Sequence, residues 1–319
     1  MLDEVGRWLR DRSWSAADRP LDQLLAAKRR TGSTVSVVLP ALNEQETVGE
    51  IVSVIRDELA STTSAGGPLV DELVVMDSGS TDRTAEVSAA AGAKVIHRDE
   101  VLPRLPARPG KGEVLWRSLL ATSGDIVCFV DADLREFSPD FVSGIVGPLL
   151  TDPGLQFVKA MYDRPLLGST GGGGRVTELV ARPLLNLHWP RLAGLVQPLG
   201  GEYAARRDLL ERLPFPVGYG VELALLVDAL ELVGLDALAQ VDVGVRRHRH
   251  QDGQALGRMA AAIYATAERR LTGEPRGSTA LTQFERDAAG AFVPRDHTLE
   301  AEERPPMCEV PEYAPRHAA

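Results

Sequence analysis

The run Asp125-Ile-Val-Cys-Phe-Val-Asp131-Ala-Asp133, an apolar stretch that ends in two carboxylates flanking one small residue, restricts this chain more than any other segment. A β-branched and aromatic run without polar alternation, opened by Gly124, is the pattern of a strand buried on both faces. Such strands occur in parallel sheets covered by helices. Both aspartates then leave at the carboxyl end of the strand, the edge where open α/β sheets bind ligands. Oxygen donors there suit a hard cation such as Mg²⁺ or Mn²⁺, and such a cation suits a diphosphate. Asp-x-Asp taken singly is more often a solvated turn or a helix cap, so the flanking segments decide its meaning.

The bulk properties narrow the field. At 319 residues and 44% apolar content the chain holds one large domain or two modest ones, with a sizeable core. A formal net charge of −10 argues against non-specific nucleic-acid binding and against anionic membrane surfaces, while leaving room for a local basic pocket. Cys128 falls inside the apolar strand and Cys308 in a Pro-rich tail, so no structural disulfide is expected and a reducing cytoplasm is the simplest compartment. The opening Met1-Leu-Asp-Glu-Val-Gly-Arg-Trp-Leu-Arg10 is charged throughout, which speaks against a signal peptide. No segment approaches the ~18 uninterrupted apolar residues of a membrane helix.

Periodicity divides the chain. Residues 1–33 read as a helical arm, with Trp8, Leu9, Trp14, Leu21, Leu24 and Leu25 as packed positions. From Thr34 strands and helices alternate. Strands are predicted at Val35 to Leu39, Glu72 to Met76, Lys94 to His97 and Gln156 to Met161. Helices are predicted around Val48 to Ile55, from about Asp82 to Ala91 with Gly92 as cap, and at Ser138 to Leu150. That rhythm implies a parallel sheet over 34–161. Residues 162–272 form a second unit, with a glycine-rich loop Leu167-Gly-Ser-Thr-Gly-Gly-Gly-Gly-Arg175, a helix at Val176 to Leu187, and a last strand, Gln240 to Val245, running into Arg246-Arg-His-Arg-His250. Residues 273–319 carry Gly, Pro and charge, with one short helical patch near Leu281 to Phe284, and 301–319 are expected to be mobile.

Two further turns share the position of the aspartates. Leu39-Pro40-Ala41-Leu42-Asn43-Glu44 ends the first strand, where backbone groups and Glu44 can face a nucleotide base; an ordinary strand-to-helix turn is the competing reading. Asp77-Ser78-Gly79-Ser80-Thr81-Asp82 follows the second strand and offers partners for a uracil or ribose, though it is also a good capping sequence. Neither decides anything singly. Three polar turns at the carboxyl ends of successive strands, however, fit a nucleotide-diphosphate-sugar site, and no Walker-type lysine loop or Gly-x-Gly-x-x-Gly follows the first strand.

With Pro-x-x-Asn-Glu, Asp-x-Gly-Ser-x-Asp and Asp-x-Asp in this order, the chain resembles glycosyltransferases of the A-type (GT-A) fold, a Rossmann-like mostly parallel sheet flanked by helices. A narrower resemblance rests on Pro109-Gly-Lys111-Gly-Glu-Val-Leu-Trp, Gly174-Arg175-Val-Thr177-Glu-Leu-Val-Ala-Arg-Pro, Gln197-Pro-Leu199-Gly-Gly-Glu-Tyr and Gly218-Tyr-Gly-Val-Glu222. These segments are similar to those of actinobacterial glucosyl-3-phosphoglycerate synthases, retaining enzymes that move glucose from UDP-glucose to 3-phosphoglycerate, and the likeness runs from about Trp14 to Phe284. It implies a homodimer and a role in starting methylglucose lipopolysaccharide or glucosylglycerate synthesis.

The resemblance assigns roles residue by residue. Pro40, Ala41, Leu42, Glu44 and Ser78 would surround the uridine; Asp131 and Ala132 would lie on the ribose side; Lys111 would neutralise the nucleotide. Asp133 and His248 would hold Mg²⁺ or Mn²⁺, a sparse donor set that leaves positions for phosphate oxygens. His250, where the family pattern has asparagine, is the rival ligand and otherwise an acceptor contact. Gly174, Arg175 and Thr177 would bind the acceptor, and they suggest an anion site in their own right, against the alternative of a loop that needs glycine only for reach. Leu199 and Glu222 would contact glucose. Asp133, Lys111, Arg175 and Glu222 are the residues expected to act in catalysis, by front-face attack of the acceptor hydroxyl without an enzymic nucleophile. The competing functions are a mannosyl-3-phosphoglycerate synthase using GDP-mannose, a polyprenyl-phosphate sugar transferase, and a non-catalytic nucleotide-sugar sensor.

Overall fold

The computed structural model describes residues 1–61, 67–165, 174–247, 252–274, 280–300 and 302–313. Helix α1 (Asp3–Asp11) leads into the three-residue strand β1 (Ser13–Ser15) and helix α2 (Leu21–Thr31). The alternating region follows: β2 (Val35–Ala41), α3 (Val48–Val54), β3 (Glu72–Asp77), α4 (Thr84–Ala91), β4 (Lys94–His97), α5 (Lys111–Ala121), β5 (Ile126–Phe129), α6 (Asp140–Thr151) and β6 (Phe157–Asp163). Next come α7 (Arg182–His188), β7 (Tyr203–Arg206), the single turn α8 (Arg207–Leu210), β8 (Phe215–Pro216), α9 (Val221–Val233), β9 (Leu238–Val245) and α10 (Gly253–Thr272). A hairpin of β10 (Ala280–Arg286) and β11 (Phe292–Thr298) precedes β12 (Glu303–Arg304), which pairs with β8.

Among the described residues the main sheet has eight strands in the order β1-β9-β6-β7-β5-β2-β3-β4, parallel except for β7, which runs antiparallel to both of its neighbours. Burial follows from the apolar runs. In β5 every side chain is buried: Val127 and Phe129 enter the core under α5 and α9, while Ile126 and Cys128 enter the core under α3 and α6. Period-two alternation therefore sorts one apolar strand into two cores, as a sheet covered on both faces requires. Strands β2, β3 and β5 all end at one edge, and their connections to the following helices form the rim of a cavity.

Three expectations need correction. Residues 1–33 are not purely helical, because β1 pairs in parallel with β9 and completes the sheet on one side; one sheet thus runs across the expected 33/34 and 161/162 divisions. A three-residue strand is too short to leave a periodic signal, and its partner lies far along the chain. The patch near Leu281 to Phe284 is a strand, not a helix: β10 alternates exposed and half-buried positions over its length, and β11 supplies the hydrogen bonds. The tail expected to be mobile from 301 onward is packed over 302–313. Arg304 reaches Glu113, which is fully buried, with Nε 2.6 Å from Oε2, and Met307, Val310 and Tyr313 are buried in the core. These anchors are irregularly spaced and find their partners at long range, so no local pattern announces them.

Candidate active site

The site grows from the strand ends. Asn43, at the tip of the turn after β2, takes a left-handed backbone conformation (φ 59°), which its short polar side chain tolerates. Its Oδ1 accepts from the Thr81 N–H at 2.8 Å, and its own N–H donates to Ser80 Oγ at 3.0 Å. The Glu44 N–H donates to Thr84 Oγ1 at 2.8 Å and the Ser78 N–H to the Ala41 carbonyl at 2.9 Å. The two polar turns are thus laced together, and Thr47 Oγ1 adds the third by donating to the Ala132 carbonyl at 2.6 Å. What the sequence offers as three capping turns is one wall.

Lys111 opens α5. Gly110 before it has φ 130° and lies so close to the Val217 carbonyl that a Cβ would collide with it, so only glycine admits the helix start here. The Lys111 ammonium sits 2.5 Å from Asp131 Oδ1 and 2.8 Å from Glu222 Oε1, joining α5, the end of β5 and the first turn of α9. From the opposite side Arg246, 4% exposed, brings Nη2 to 2.7 Å from Asp131 Oδ2 and 3.3 Å from Asp133 Oδ1, while its Nε sits 2.8 Å from Glu202 Oε1. Glu202 also accepts from Tyr162 Oη at 2.7 Å.

Opposed shifts divide the two aspartates. Burial pushes Asp131 upward, but Lys111 and Arg246 outweigh it and hold the carboxyl far below the usual carboxylate range. Asp133 is raised, chiefly by burial, with Asp131 and Glu202 adding to the effect against Arg246. Lys111 is raised well above an ordinary lysine, because Asp131 and Glu222 overcome its desolvation. At neutral pH Lys111, Asp131 and Arg246 therefore carry fixed, mutually paired charges.

One cavity of about 710 Å³ gathers these groups. Pro40, Ala41, Leu42, Glu44, Ser78, Lys111, Asp131, Ala132, Asp133, Gly174, Arg175, Thr177, Leu199 and Glu222 all line it. It can admit a molecule with a polar ring at the β2–β3 end and an anion at the Gly174–Thr177 end.

A family model described as glycosyl transferase family 2 matches residues 36–165. The curated glucosyl-3-phosphoglycerate synthase of Mycolicibacterium smegmatis is 52% identical over 305 residues, spanning 94% of this chain and 97% of that protein. The chain belongs to the glucosyl-3-phosphoglycerate synthase family. A solved member of that family, from Mycobacterium tuberculosis in complex with Mn²⁺, UDP and phosphoglyceric acid, superposes with a TM-score of 0.80 at 47% identity, covering 92% of this chain and 94% of the other. Mannosyl-3-phosphoglycerate synthase from Rubrobacter xylanophilus superposes with a TM-score of 0.86 at 40% identity, covering 96% and 97%. The fold is that of the A-type glycosyltransferases.

His248 and His250, the two rival ligands, lie outside the described residues, as does most of the glycine-rich loop. Among the described residues no three His, Cys, Asp or Glu side chains stand together as a metal cluster. Asp133 is more open to an incoming cation than Asp131, both of whose oxygens are held by Lys111 and Arg246. One hard oxygen donor with raised proton affinity, followed by histidines a few residues beyond β9, fits a divalent cation that takes its remaining ligands from a diphosphate and water. Sequence reasoning overlooked Arg246, Glu202, Tyr162 and Arg164, which also border or support the cavity. Arg246 stood in view within Arg246-Arg-His-Arg-His250, and Glu202 within the Leu199 motif, but nothing local distinguishes a buried pair separated by 44 positions.

Proposed function

We propose that this chain is a divalent-cation-dependent transferase that moves glucose from UDP-glucose to the 2-hydroxyl of 3-phosphoglycerate with retention, giving α-glucosyl-3-phosphoglycerate and UDP. The observation that carries this reading is that the three strand-end turns, the Lys111–Asp131–Arg246 cluster and the Gly174–Thr177 segment border one cavity in a member of this family. Residues 34–161 then hold the nucleotide of the donor, and 162–272 hold the acceptor and reach the glucose. Pro40, Ala41, Leu42, Glu44 and Ser78 surround the uridine, Asp131 and Ala132 flank the ribose, and Gly174, Arg175 and Thr177 take the acceptor's anionic groups, together with His250. Leu199 and Glu222 face the glucose.

Mg²⁺ or Mn²⁺, held by Asp133 with His248, would neutralise the diphosphate as it leaves. The chain's own contribution is orientation and fixed charge. Arg175 aligns the acceptor hydroxyl on the face of the sugar that the leaving group departs, and Lys111 offsets negative charge on the donor. Asp131 and Glu222 are both tied to the Lys111 ammonium, which leaves neither carboxylate a free nucleophile and supports front-face attack. A covalent glucosyl-enzyme trapped in a slowed variant would sink that mechanism.

A homodimer fits the outer face of the β10–β11 hairpin, where register puts Phe284 opposite Pro294, and Phe284 and Phe292 are 59% and 65% exposed. No described helix is long and apolar enough to cross a membrane. On this reading the enzyme works in the cytoplasm and feeds methylglucose lipopolysaccharide or glucosylglycerate synthesis, as the family resemblance implies.

The test is nucleotide release with Mg²⁺, crossing UDP-glucose, ADP-glucose and GDP-mannose with and without 3-phosphoglycerate. UDP release that needs 3-phosphoglycerate supports the reading. Release from GDP-mannose alone would favour the mannosyl enzyme, the second reading that the Rubrobacter likeness supports. Binding of UDP-glucose with no acceptor-dependent release would indicate a sensor.

A further inference from the structure

Lys159, in the middle of β6, is 1% exposed and sits beneath the turn that carries Leu199. Its Nζ donates to the Gly200 carbonyl and stands 4.9 Å from the centre of the Tyr203 ring. The turn itself is glycine on glycine. A Cβ on Gly201 would collide with the Asp131 carboxylate, and one on Gly200 would come within 2.6 Å of Tyr162 Oη. The backbone is therefore pressed against the site floor: the Gln197 amide donates to the Tyr162 carbonyl at 3.1 Å on one side, Leu199 packs against the core, and a buried ammonium fixes the Gly200 carbonyl. An apolar side chain of equal length would fill the same space without desolvating a charge, so packing alone gives no reason for a lysine here.

We propose that Lys159 is a positioning residue: its protonated ammonium fixes the Gly200 carbonyl and so holds the Leu199–Gly201 turn against the donor sugar, and transfer slows when that proton is lost. This rests on the reading above that Leu199 faces glucose. A charge-assisted hydrogen bond is roughly twice as strong as a neutral one, so a neutral amine holds the carbonyl less firmly. The charged groups around Nζ are Glu222 from α9, Glu202 before β7, Lys111 from α5 and Asp131 beyond β5, with the Tyr203 ring beside it. Burial is the largest influence and, with Lys111, outweighs the carboxylates, lowering the ammonium to about 8.

The sign separates this role from a structural one. The native ammonium binds its proton less tightly than an ordinary lysine near 10.5, so between about 8 and 10.5 the unfolded chain holds more protons and this group's contribution to stability rises with pH. Activity is expected to fall across the same interval. kcat and donor KM, followed by UDP release from pH 6.5 to 9.5 with melting temperatures alongside, are to be compared for the parent, K159M and K159Q. The expected result is a parent whose kcat falls above about pH 8, and a K159M that is folded, at least ~10-fold lower in kcat, within threefold in KM and without that alkaline limb. K159Q, which keeps a donor without charge, is expected to fall between K159M and the parent in kcat, also without the limb. K159M within twofold of the parent, a limb near pH 8 that persists in K159M, or a K159Q that matches the parent's kcat at pH 7 would each overturn the proposal. A parent inactive with every donor would overturn the transferase reading itself, a different result from an active parent matched by K159M.

Discussion

Lys111 is the residue on which the site's charge balance turns, because one ammonium faces two carboxylates drawn from different elements. Lys111→Met takes the ammonium away from Glu222 and leaves Asp131 with Arg246 alone, and kcat/KM is expected to fall about 100-fold or more, with weaker UDP binding in calorimetry. Asp133→Asn keeps the shape but removes the charge, so acceptor-dependent UDP release and Mn²⁺ retention in the presence of UDP, followed by spin resonance, should both be lost. The cysteines offer a simpler check. Cys128 is fully buried and its thiol is pushed upward by that burial, whereas Cys308 is exposed. A thiol reagent should modify one equivalent quickly in the native protein and the second only after denaturation; two fast equivalents would contradict the burial of β5.

Among elements, the segment 302–313 matters more than its composition suggests. Arg304 bonds Glu113, Glu113 bonds Arg117 at 2.6 Å, and Arg117 in turn donates to the carbonyl of Leu105 at 2.6 Å. Glu113 lies two residues from Lys111, so this chain of contacts clamps the start of α5. Arg304→Ala removes one partner of a buried carboxylate, and a loss of about 2–4 kcal/mol is expected in denaturant unfolding. If the midpoint does not move, the clamp is not carrying the tail. Strands β2, β3 and β5 were legible because each is a continuous apolar run bounded by polar turns. The stretch β7 was not, since Tyr203-Ala-Ala-Arg206 has little β propensity and is a strand only because β5 and β6 hold it from both sides. The site divides the same way. Its strand-end turns can be read locally, whereas Arg246 earns its role from Asp131, 115 positions earlier.

For the whole molecule, the exposed aromatic face of the hairpin predicts association. Replacing Phe284 and Phe292 together by serine should shift sedimentation from dimer toward monomer while leaving the isolated chain folded, since neither side chain belongs to a core. Unchanged sedimentation would move the interface elsewhere. The pairing of β1 with β9 carries a different consequence. Ser13 aligns with Gln240, and the Ser13 hydroxyl accepts from the Gln240 amide across 227 positions. During synthesis, then, the first strand of the sheet leaves the ribosome with no partner and waits for most of the chain to follow. Such a contact closes late, and an unpaired strand edge invites association in the interval. The amino-terminal segment is thus the last piece of the sheet to be sewn in, and the point at which a nascent chain would most need a chaperone.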